Sequence, residues 1–584
     1  MSTIVTINSG LGSSLGVFQN GKPVFCMEEE RLIRTKNWMG FPYKALDYII
    51  KNGIVRPSEV EYVGIANAIY RELNRTTFYN NYERHYRRAC GNPINITRVR
   101  NELRKNIKSS DFLFGVYLRS RQQINRGKEK DLDYLAHLGF RPDRIERVEH
   151  HLCHASAAYY GLARHLDEKY LVFTLDGGGD RYTSALYLGQ GGNLQLLSSS
   201  PCYSIGNMYS AVTHHLGFTP HEHEYKLMGL APYVDKKHQD KYKKYFSQFL
   251  KLADDDTRFE NSKLLYHEIF MRHLLNDLKR ARFDNVAAGL QAFTEEILGA
   301  WIRGAIKKYG VGKILCSGGV FMNVKTNMLL SQMPEVEYID VFPSCGDESN
   351  VFGAGFYLYN THIEKKVDNL KSYCLGSVIG GDLPAVLEKY RGQIEYERIK
   401  DINAYIVGQL VAGKIVARCS GPMEFGARAL GNRSILANPS NLNVVGKINR
   451  AIKNRDFWMP FAPAMLWDKA GQLIRIPNAL KSQGSPYMMF AFETVEDQRE
   501  SIACALHQSD FTARAETVTK ERYPDFYQIV EGFYQKTGIP CVLNTSFNLH
   551  GHPIVENSDQ AVDVLLKSKL DLLVINDYAI WRKG

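Results

Sequence analysis

Tyr170-Leu-Val-Phe-Thr-Leu-Asp176-Gly-Gly-Gly-Asp180, followed by Thr183-Ser-Ala-Leu-Tyr-Leu188 and Gly189-Gln-Gly-Gly192, is the most telling segment of this chain. The apolar run from Tyr170 to Leu175 has the length of a buried strand, and it ends on a carboxylate. Three glycines come next. Lacking a Cβ, they let the turn approach an anion through its backbone N–H groups. A second strand-like run returns from Thr183, and the glycines at 189, 191 and 192 supply another tight turn.

Upstream, residues 2 to 27 repeat this arrangement. Asn8-Ser-Gly-Leu-Gly-Ser-Ser14 takes the place of the first turn, and Asn20-Gly21-Lys-Pro23 that of the second. Two such units, each opening one half of a domain, resemble the internal duplication of the actin and sugar-kinase ATPase fold. Amphipathic helices follow, with Val286, Leu290, Phe293 and Ile297 at helical spacing. Lys313-Ile-Leu-Cys-Ser-Gly318-Gly319-Val-Phe-Met-Asn323 is then a strand running into a Gly-Gly turn that can pass under an adenosine. In the same sense Gly178 is a candidate for the phosphates.

His150 and His154 lie four residues apart in Glu149-His-His-Leu-Cys-His154. On a helix this spacing stacks two imidazoles on one face, where both can reach one metal ion. Asp176 supplies a hard oxygen ligand. Asp347, in Val341-Phe-Pro-Ser-Cys-Gly346-Asp347-Glu-Ser349 ahead of Gly353-Ala-Gly355, is the candidate fourth ligand. Two nitrogens and two carboxylate oxygens suit iron(II), manganese or zinc and need no thiolate. A metal beside a phosphate is a site for group transfer.

At 584 residues the chain has room for two to four domains, each with its own core. A hydrophobic content of 44% against 23% charged residues is globular, and no stretch reads as a membrane span. The strand-like start, Met1-Ser-Thr-Ile-Val-Thr-Ile7, shows no basic and then apolar leader, so a cytoplasmic location is expected. Ten cysteines without a CxxC pair fit a reducing compartment. The formal charge of +11 is concentrated in residues 71–130, where fifteen Lys and Arg face five Asp and Glu, a net +10. This stretch is read as an inserted basic helical cap: a solvated face, an attractor of phosphate-bearing ligands, or an RNA contact.

The sequence turns polar around 361–372, and the domain boundary is placed there, giving domains 1–365 and 366–584. The second pattern has a helix from about Asp401 to Ala412, a buried strand at Lys414-Ile-Val-Ala-Arg418, and another at Pro540-Cys-Val-Leu-Asn544-Thr-Ser546-Phe-Asn548. Between them lies a dense cationic cluster with Arg428, Arg433, Lys453 and Arg455, and Arg514 comes later.

Glu28-Glu-Glu-Arg31 with Lys36 and Phe41-Pro42, the histidine pair with its Asp-Gly-Gly turn, and Tyr225-Lys-Leu-Met-Gly-Leu-Ala-Pro232 are followed by Ser317-Gly-Gly-Val-Phe-Met-Asn323, Glu424-Phe-Gly-Ala-Arg-Ala-Leu-Gly-Asn-Arg-Ser-Ile435 and Leu543-Asn-Thr-Ser-Phe-Asn548. In this order the set closely resembles the nodulation- and cephamycin-type O-carbamoyltransferase family over nearly the whole chain. The resemblance implies an α/β protein with two domains. The N-terminal one would be a duplicated ATPase-fold domain like the tRNA threonylcarbamoyl-transferase subunit, and the C-terminal one would be like threonylcarbamoyl-adenylate synthase.

It also implies two steps. Carbamoyl phosphate and ATP, with Mg, would give carbamoyl-adenylate in the C-terminal domain, and the carbamoyl group would then pass to a hydroxyl or amine of a small metabolite at the N-terminal metal. Iron is the metal the resemblance favours. Arg428, Lys453 and Arg514 match the positions that neutralise the anionic substrates, with Arg433 and Arg455 beside them. Ser546 and Asn544 would position the carbamoyl group. Lys36, Gly319 and Asn323 would hold nucleotide at the metal, which His150, His154, Asp176 and Asp347 would bind.

Two positions depart from the pattern. Leu11-Gly12 replaces a His-Asp pair, which removes the natural base for an acceptor hydroxyl. Replacements to consider are His214-His215, the His221 to His223 stretch, a metal-activated hydroxyl, or an amine acceptor. Met459 stands where an arginine is common. Two other readings remain: a tRNA-modifying factor gripping RNA through the basic cap, and an adenylate-only or inactive paralogue suggested by Leu11. The fused C-terminal match goes with carbamoyl donors, so nucleic acid is not an expected partner.

Overall fold

The computed structural model describes residues 2–68, 130–262, 265–367, 370–453 and 455–584. Apart from Lys130, the basic segment expected at 71–130 lies outside them. By packing, the chain divides into two compact units, Met1–Val24 with Asn37–Asn369, and Phe25–Lys36 with Leu370–Gly584. A single cut at 365/366 does not foresee that Phe25–Lys36 joins the second unit. Its anchor is a buried ion pair. Arg31 Nη2 lies 2.9 Å from Glu28 Oε1 and donates to the Gly426 carbonyl at 2.6 Å, while Glu28 Oε1 accepts from the Gly426 N–H at 2.7 Å.

The first unit holds two five-stranded sheets, save that one edge strand of the first sheet runs on past Val24 into the segment grouped with the second unit. One contains β1 (Thr3–Asn8), β2 (Ser14–Gln19), β3 (Lys22–Glu28), β4 (Tyr62–Ala66) and β5 (Ile145–Val148) in the order β3-β2-β1-β4-β5. The other contains β6 (Tyr170–Leu175), β7 (Ser184–Gln190) and β8 (Asn193–Ser200) and, beyond a short hairpin of β9 (Leu250–Leu252) and β10 (Phe259–Asn261), β11 (Lys313–Ser317) and β12 (Tyr338–Val341). Its order, β12-β11-β6-β7-β8, is the first order repeated. Directions repeat as well: β1 is antiparallel to β2 and parallel to β4, and β6 is antiparallel to β7 and parallel to β11. The duplication expected from the glycine turns is therefore present in the strand topology.

The helix His150–Leu162 is buried on nearly all sides, as its mixed small and aromatic residues require. The helix Asn350–His362 packs against it. Gly353 permits the contact, since a Cβ there would lie 1.8 Å from the Cys153 carbonyl oxygen.

In the second unit β13 (Cys374–Val378) pairs with a short strand further on, while β14 (Ile394–Arg398) and β15 (Val416–Cys419) enter the main sheet. The partner of β13 is β16 (Pro422–Glu424). The main sheet is completed by β17 (Arg433–Ala437), β18 (Ala462–Leu466), β19 (Glu516–Val518), β20 (Cys541–Ser546), β21 (Leu572–Ile575) and β22 (Tyr578–Arg582). Its order is β14-β22-β21-β15-β17-β20-β18-β19. The expected helix is Ile402–Val411, with Asp401 capping it by accepting from the Ala404 N–H. Both units mix helices with sheets, as an α/β protein should. Among the described residues no helix is long and apolar enough to cross a membrane.

Candidate active site

In the first unit β6, β11 and β12 run parallel, so Asp176, Gly318 and the turn carrying Asp347 leave one edge of the second sheet. β4 and β5 likewise run parallel, and they deliver Asn67 and His150 from the first sheet. Glu149 caps the helix that follows by accepting from the Leu152 N–H at 2.8 Å.

The four expected ligands come together, with donor atoms all within 4.8 Å of one another. His154 Nε2 lies 3.2 Å from Asp176 Oδ2 and 3.7 Å from Asp347 Oδ1. His150 Nε2 lies 3.6 and 3.5 Å from the same two atoms. Ligands on one small cation with bonds of about 2.1 Å stand roughly 3.4 Å apart, so the spacing fits. The imidazoles are turned for this. His150 Nδ1 meets Asn67 Oδ1 at 2.9 Å, and His154 Nδ1 meets Ser317 Oγ at 3.2 Å, which leaves both Nε2 atoms facing the carboxylates. His150 Nε2 is buried with no hydrogen-bond partner among the described residues. That orphaned atom fits a metal ligand.

Electrostatics point the same way. Burial opposes charge on His150, but Asp347 and Asp176 prevail and push its imidazole up to about 9. Burial is likewise overcome at His154, which is pushed up chiefly by Asp176 and Asp347. Despite burial, Asp176 is held well below the usual carboxylate range by the two histidines, whereas burial and the charge of Asp176 push Asp347 up. Two half-buried carboxylates converging on two buried imidazoles call for positive charge, from protons on the histidines or from a cation.

The surrounding turns are backbone-lined. Gly178 and Gly318 have φ of +141° and +103°. Gly319 adjoins Asp176, and a Cβ there would sit 3.2 Å from Asp176 Oδ1. Asn323 caps the helix Val324–Ser331 by accepting from the Thr326 N–H, and its amide also meets that of Gln291. Leu11 contributes a carbonyl that accepts from Asn8 Nδ2 at 2.8 Å. His214 and His215 close the helix Ile205–His215, whose start abuts Asp176 through Ser204 Oγ donating to the Asp176 carbonyl at 2.6 Å. An eleven-residue helix is roughly 16 Å long, so these histidines stand at its far end and not over the carboxylates.

The second unit gathers the other candidates along one edge. β17 starts where β20 ends, at Ser434 opposite Ser546, and β18 starts there too, with Ala462 opposite Asn544. β19 runs parallel to β18. The loops carrying Arg428, Lys453 with Arg455, and Arg514 precede β17, β18 and β19, so they emerge beside Ser546. Lys453 Nζ donates to Ser546 Oγ at 3.0 Å, to its carbonyl at 2.6 Å and to Asn548 Oδ1 at 2.7 Å. Burial holds its ammonium well below the ordinary lysine range, helped by the charges of Arg455 and Lys36. Lys36, expected at the metal, thus packs with the second unit because Phe25–Lys36 does. Arg428 and Arg514 are half-buried. Arg455 donates to Thr545 Oγ1 at 3.0 Å and lies over the Phe461 ring at 4.7 Å. Arg433, a candidate for nucleotide, donates through Nη1 and Nη2 to the carbonyls of Ser420, Gly421, Asn432 and Ser377, so its forks brace the main chain.

The family model described as Carbamoyltransferase N-terminus matches residues 10–356, and that described as Carbamoyltransferase C-terminus matches residues 407–582. The chain belongs to the carbamoyltransferase family. As such it is an enzyme that transfers carbamoyl groups. This carbamoyltransferase is 32% identical over 466 residues to an uncharacterized protein of Methanocaldococcus jannaschii, covering 76% of this chain and 75% of that one. A second uncharacterized protein of the same organism is 29% identical over 596 residues, 99% of each chain. Nodulation protein NolNO of Sinorhizobium fredii is 31% identical over 455 residues, 76% of this chain and 65% of that protein.

Several residues of this carbamoyltransferase escaped the sequence reading. Glu424 Oε1 accepts from the N–H groups of Leu430, Asn432 and Arg433 at 2.8, 2.8 and 3.0 Å and so fixes the Arg428 loop. Asn548 and Asn67 orient Lys453 and His150. Asn548 was visible only as the last letter of a motif, and nothing around Asn67 in the sequence marks it.

Proposed function

We propose that this carbamoyltransferase makes carbamoyl-adenylate in its second unit and transfers the carbamoyl group to a hydroxyl or amine of a small metabolite in its first. The reading of the first unit as an actin- and sugar-kinase-type nucleotide fold rests on its duplicated sheets and glycine turns. The observation that carries the first step is the convergence of Arg428, Lys453, Arg514 and Ser546 on one sheet edge. Bringing ATP and carbamoyl phosphate together needs several fixed cations, and this edge offers them.

For the atoms to balance, water takes the phosphoryl group of carbamoyl phosphate as inorganic phosphate and leaves carbamate. A carbamate oxygen then attacks the α-phosphorus of ATP, and the bond to pyrophosphate breaks. Lys453 compensates the charge, with its donors spread by Ser546 and Asn548. In the first unit the acceptor heteroatom attacks the carbamoyl carbon, AMP leaves, and the acceptor proton passes to solvent. A divalent cation held by His150, His154, Asp176 and Asp347 would supply Lewis acidity to the carbamoyl carbonyl and charge for the adenylate phosphate. Gly178 and Gly318 open the turns to that phosphate, and Asn323 presents a helix N-terminus.

The test is carbamoyl-phosphate-dependent exchange of labelled pyrophosphate into ATP. The wild type should exchange, and Lys453→Ala should lower the rate on the order of 100-fold or more. Absence of exchange in folded wild-type protein would sink the adenylate step.

A further inference from the structure

Asn67 directly follows β4 and meets His150 of the metal cluster, and its backbone is unusual. At φ +92° it lies in the left-handed half of conformational space, which costs energy for a residue with a side chain. The surroundings hold it there. Its N–H donates to the Val148 carbonyl at 2.8 Å. The next residue, Ala68, donates its N–H to Asp180 Oδ2 at 2.6 Å, and the same oxygen accepts from the His150 N–H at 3.0 Å. Strained backbone pinned on both sides aims one atom. Asn67 Oδ1 meets His150 Nδ1 at 2.9 Å.

The polarity of that contact follows from its chemistry. A side-chain amide oxygen only accepts, so Nδ1 carries a proton in either charge state, and in the neutral ring that binds a metal Nε2 keeps its lone pair toward Asp176 and Asp347. The amide nitrogen of Asn350 also approaches Nδ1, but at 3.5 Å. The opposite side of the ring is closed by Gly179, where a Cβ would lie 2.3 Å from His150 Cγ. The imidazole therefore has one tautomer and one orientation, set by Asn67 and a wall of backbone.

We infer that Asn67 is a positioning residue for the metal centre, fixing the tautomer and direction of His150 so that Nε2 is presented as a ligand. This rests on the proposed reading of His150, His154, Asp176 and Asp347 as a metal site. It makes metal affinity a property of the strand end that leads into residue 69, as well as of the four ligands.

Titration of the full-length metal-free protein with Co2+, followed by the visible ligand-field bands and by competition with a chelator, tests it. Asn67→Gly suits the left-handed backbone and deletes the acceptor. Its affinity should fall by roughly 10- to 100-fold with altered bands, while the metal-free melting temperature holds or rises. Asn67→Asp keeps an acceptor and should bind within a few-fold of wild type. Wild-type affinity and bands in Asn67→Gly would overturn the inference alone. If wild type and His150→Ala bind Co2+ equally weakly, the metal reading itself falls. A loss of metal-free stability in Asn67→Gly with unchanged affinity would make Asn67 a scaffold residue and also overturn the proposal.

Discussion

Asn544 Nδ2 donates to Glu516 Oε2 at 2.8 Å deep in the second unit, and it donates also to the Ala429 carbonyl at 3.0 Å. Both amide hydrogens are thereby committed. Asn544 Oδ1 remains buried without a hydrogen-bond partner among the described residues, as does Glu516 Oε1. Since Ala429 follows Arg428, one buried amide ties the β20 end to the cationic loop. The loop is thus held from beneath by Asn544 and at its far end by Glu424.

Glu424 should matter to both stability and substrate binding. Its Oε1 satisfies three main-chain N–H groups of the Arg428 loop. Removing a buried acceptor strands those donors, so Glu424→Ala should cost on the order of 3 kcal/mol in urea unfolding. The Michaelis constant for carbamoyl phosphate in the exchange assay should rise as the loop loosens. An unchanged unfolding midpoint would show that water replaces the carboxylate without loss.

Metal loading should affect one unit's chemistry and not the other's. A cation at 100 times its dissociation constant should stabilise the wild type by about 2.7 kcal/mol, and His154→Ala should lose that gain. Pyrophosphate exchange with MgATP should stay within about twofold between metal-free and loaded protein, because Lys453, Ser546 and Asn548 bind each other in the second unit. Exchange that vanishes on metal removal would contradict the division of labour.

How far the sequence revealed this site depends on the range of the interactions. His150 and His154 were legible because helical spacing is local, and Asp176 and Asp347 because strands that end in glycine turns expose their ends. Lys36 was not. Its place depends on Glu28 and Arg31 meeting Gly426, nearly four hundred residues away, and no local pattern encodes such a contact. Arg433 looked like its neighbours Arg428 and Arg455 until the structure showed its donors turned onto carbonyls. The duplicated sheets were legible from the glycine turns, whereas the eight-strand order of the second unit was not, because β17 to β20 are joined by long connections, and even the periodic helix Pro524–Thr537 between β19 and β20 does not say which strands it brings side by side.

Anion binding at Lys453 should take up a proton. Burial, reinforced by Arg455 and Lys36, lowers its ammonium well below the ordinary range, and a bound phosphate would raise it again. Affinity for carbamoyl phosphate should then be greatest below the depressed value and decline as pH rises through it. Calorimetric titrations in buffers of different ionisation enthalpy should give different apparent heats in the wild type. Heats that do not depend on the buffer would mean that Lys453 is already charged.

Glu516 should make the protein less stable as pH rises. Burial, with the charge of Glu424 adding to it, pushes its carboxyl well above the usual range, against the opposing hydrogen bond from Asn544. In the unfolded chain it ionises near 4.3, as glutamate ordinarily does. Between that value and its raised folded value the native state binds the extra proton, so this group's contribution to stability falls with increasing pH. Glu516→Gln keeps an oxygen for Asn544 and removes the ionisation. Its melting temperature should therefore gain on the wild type between pH 5 and pH 8, with the gap widening at the higher pH. A constant difference across that range would show that Glu516 ionises alike in the folded and unfolded chain.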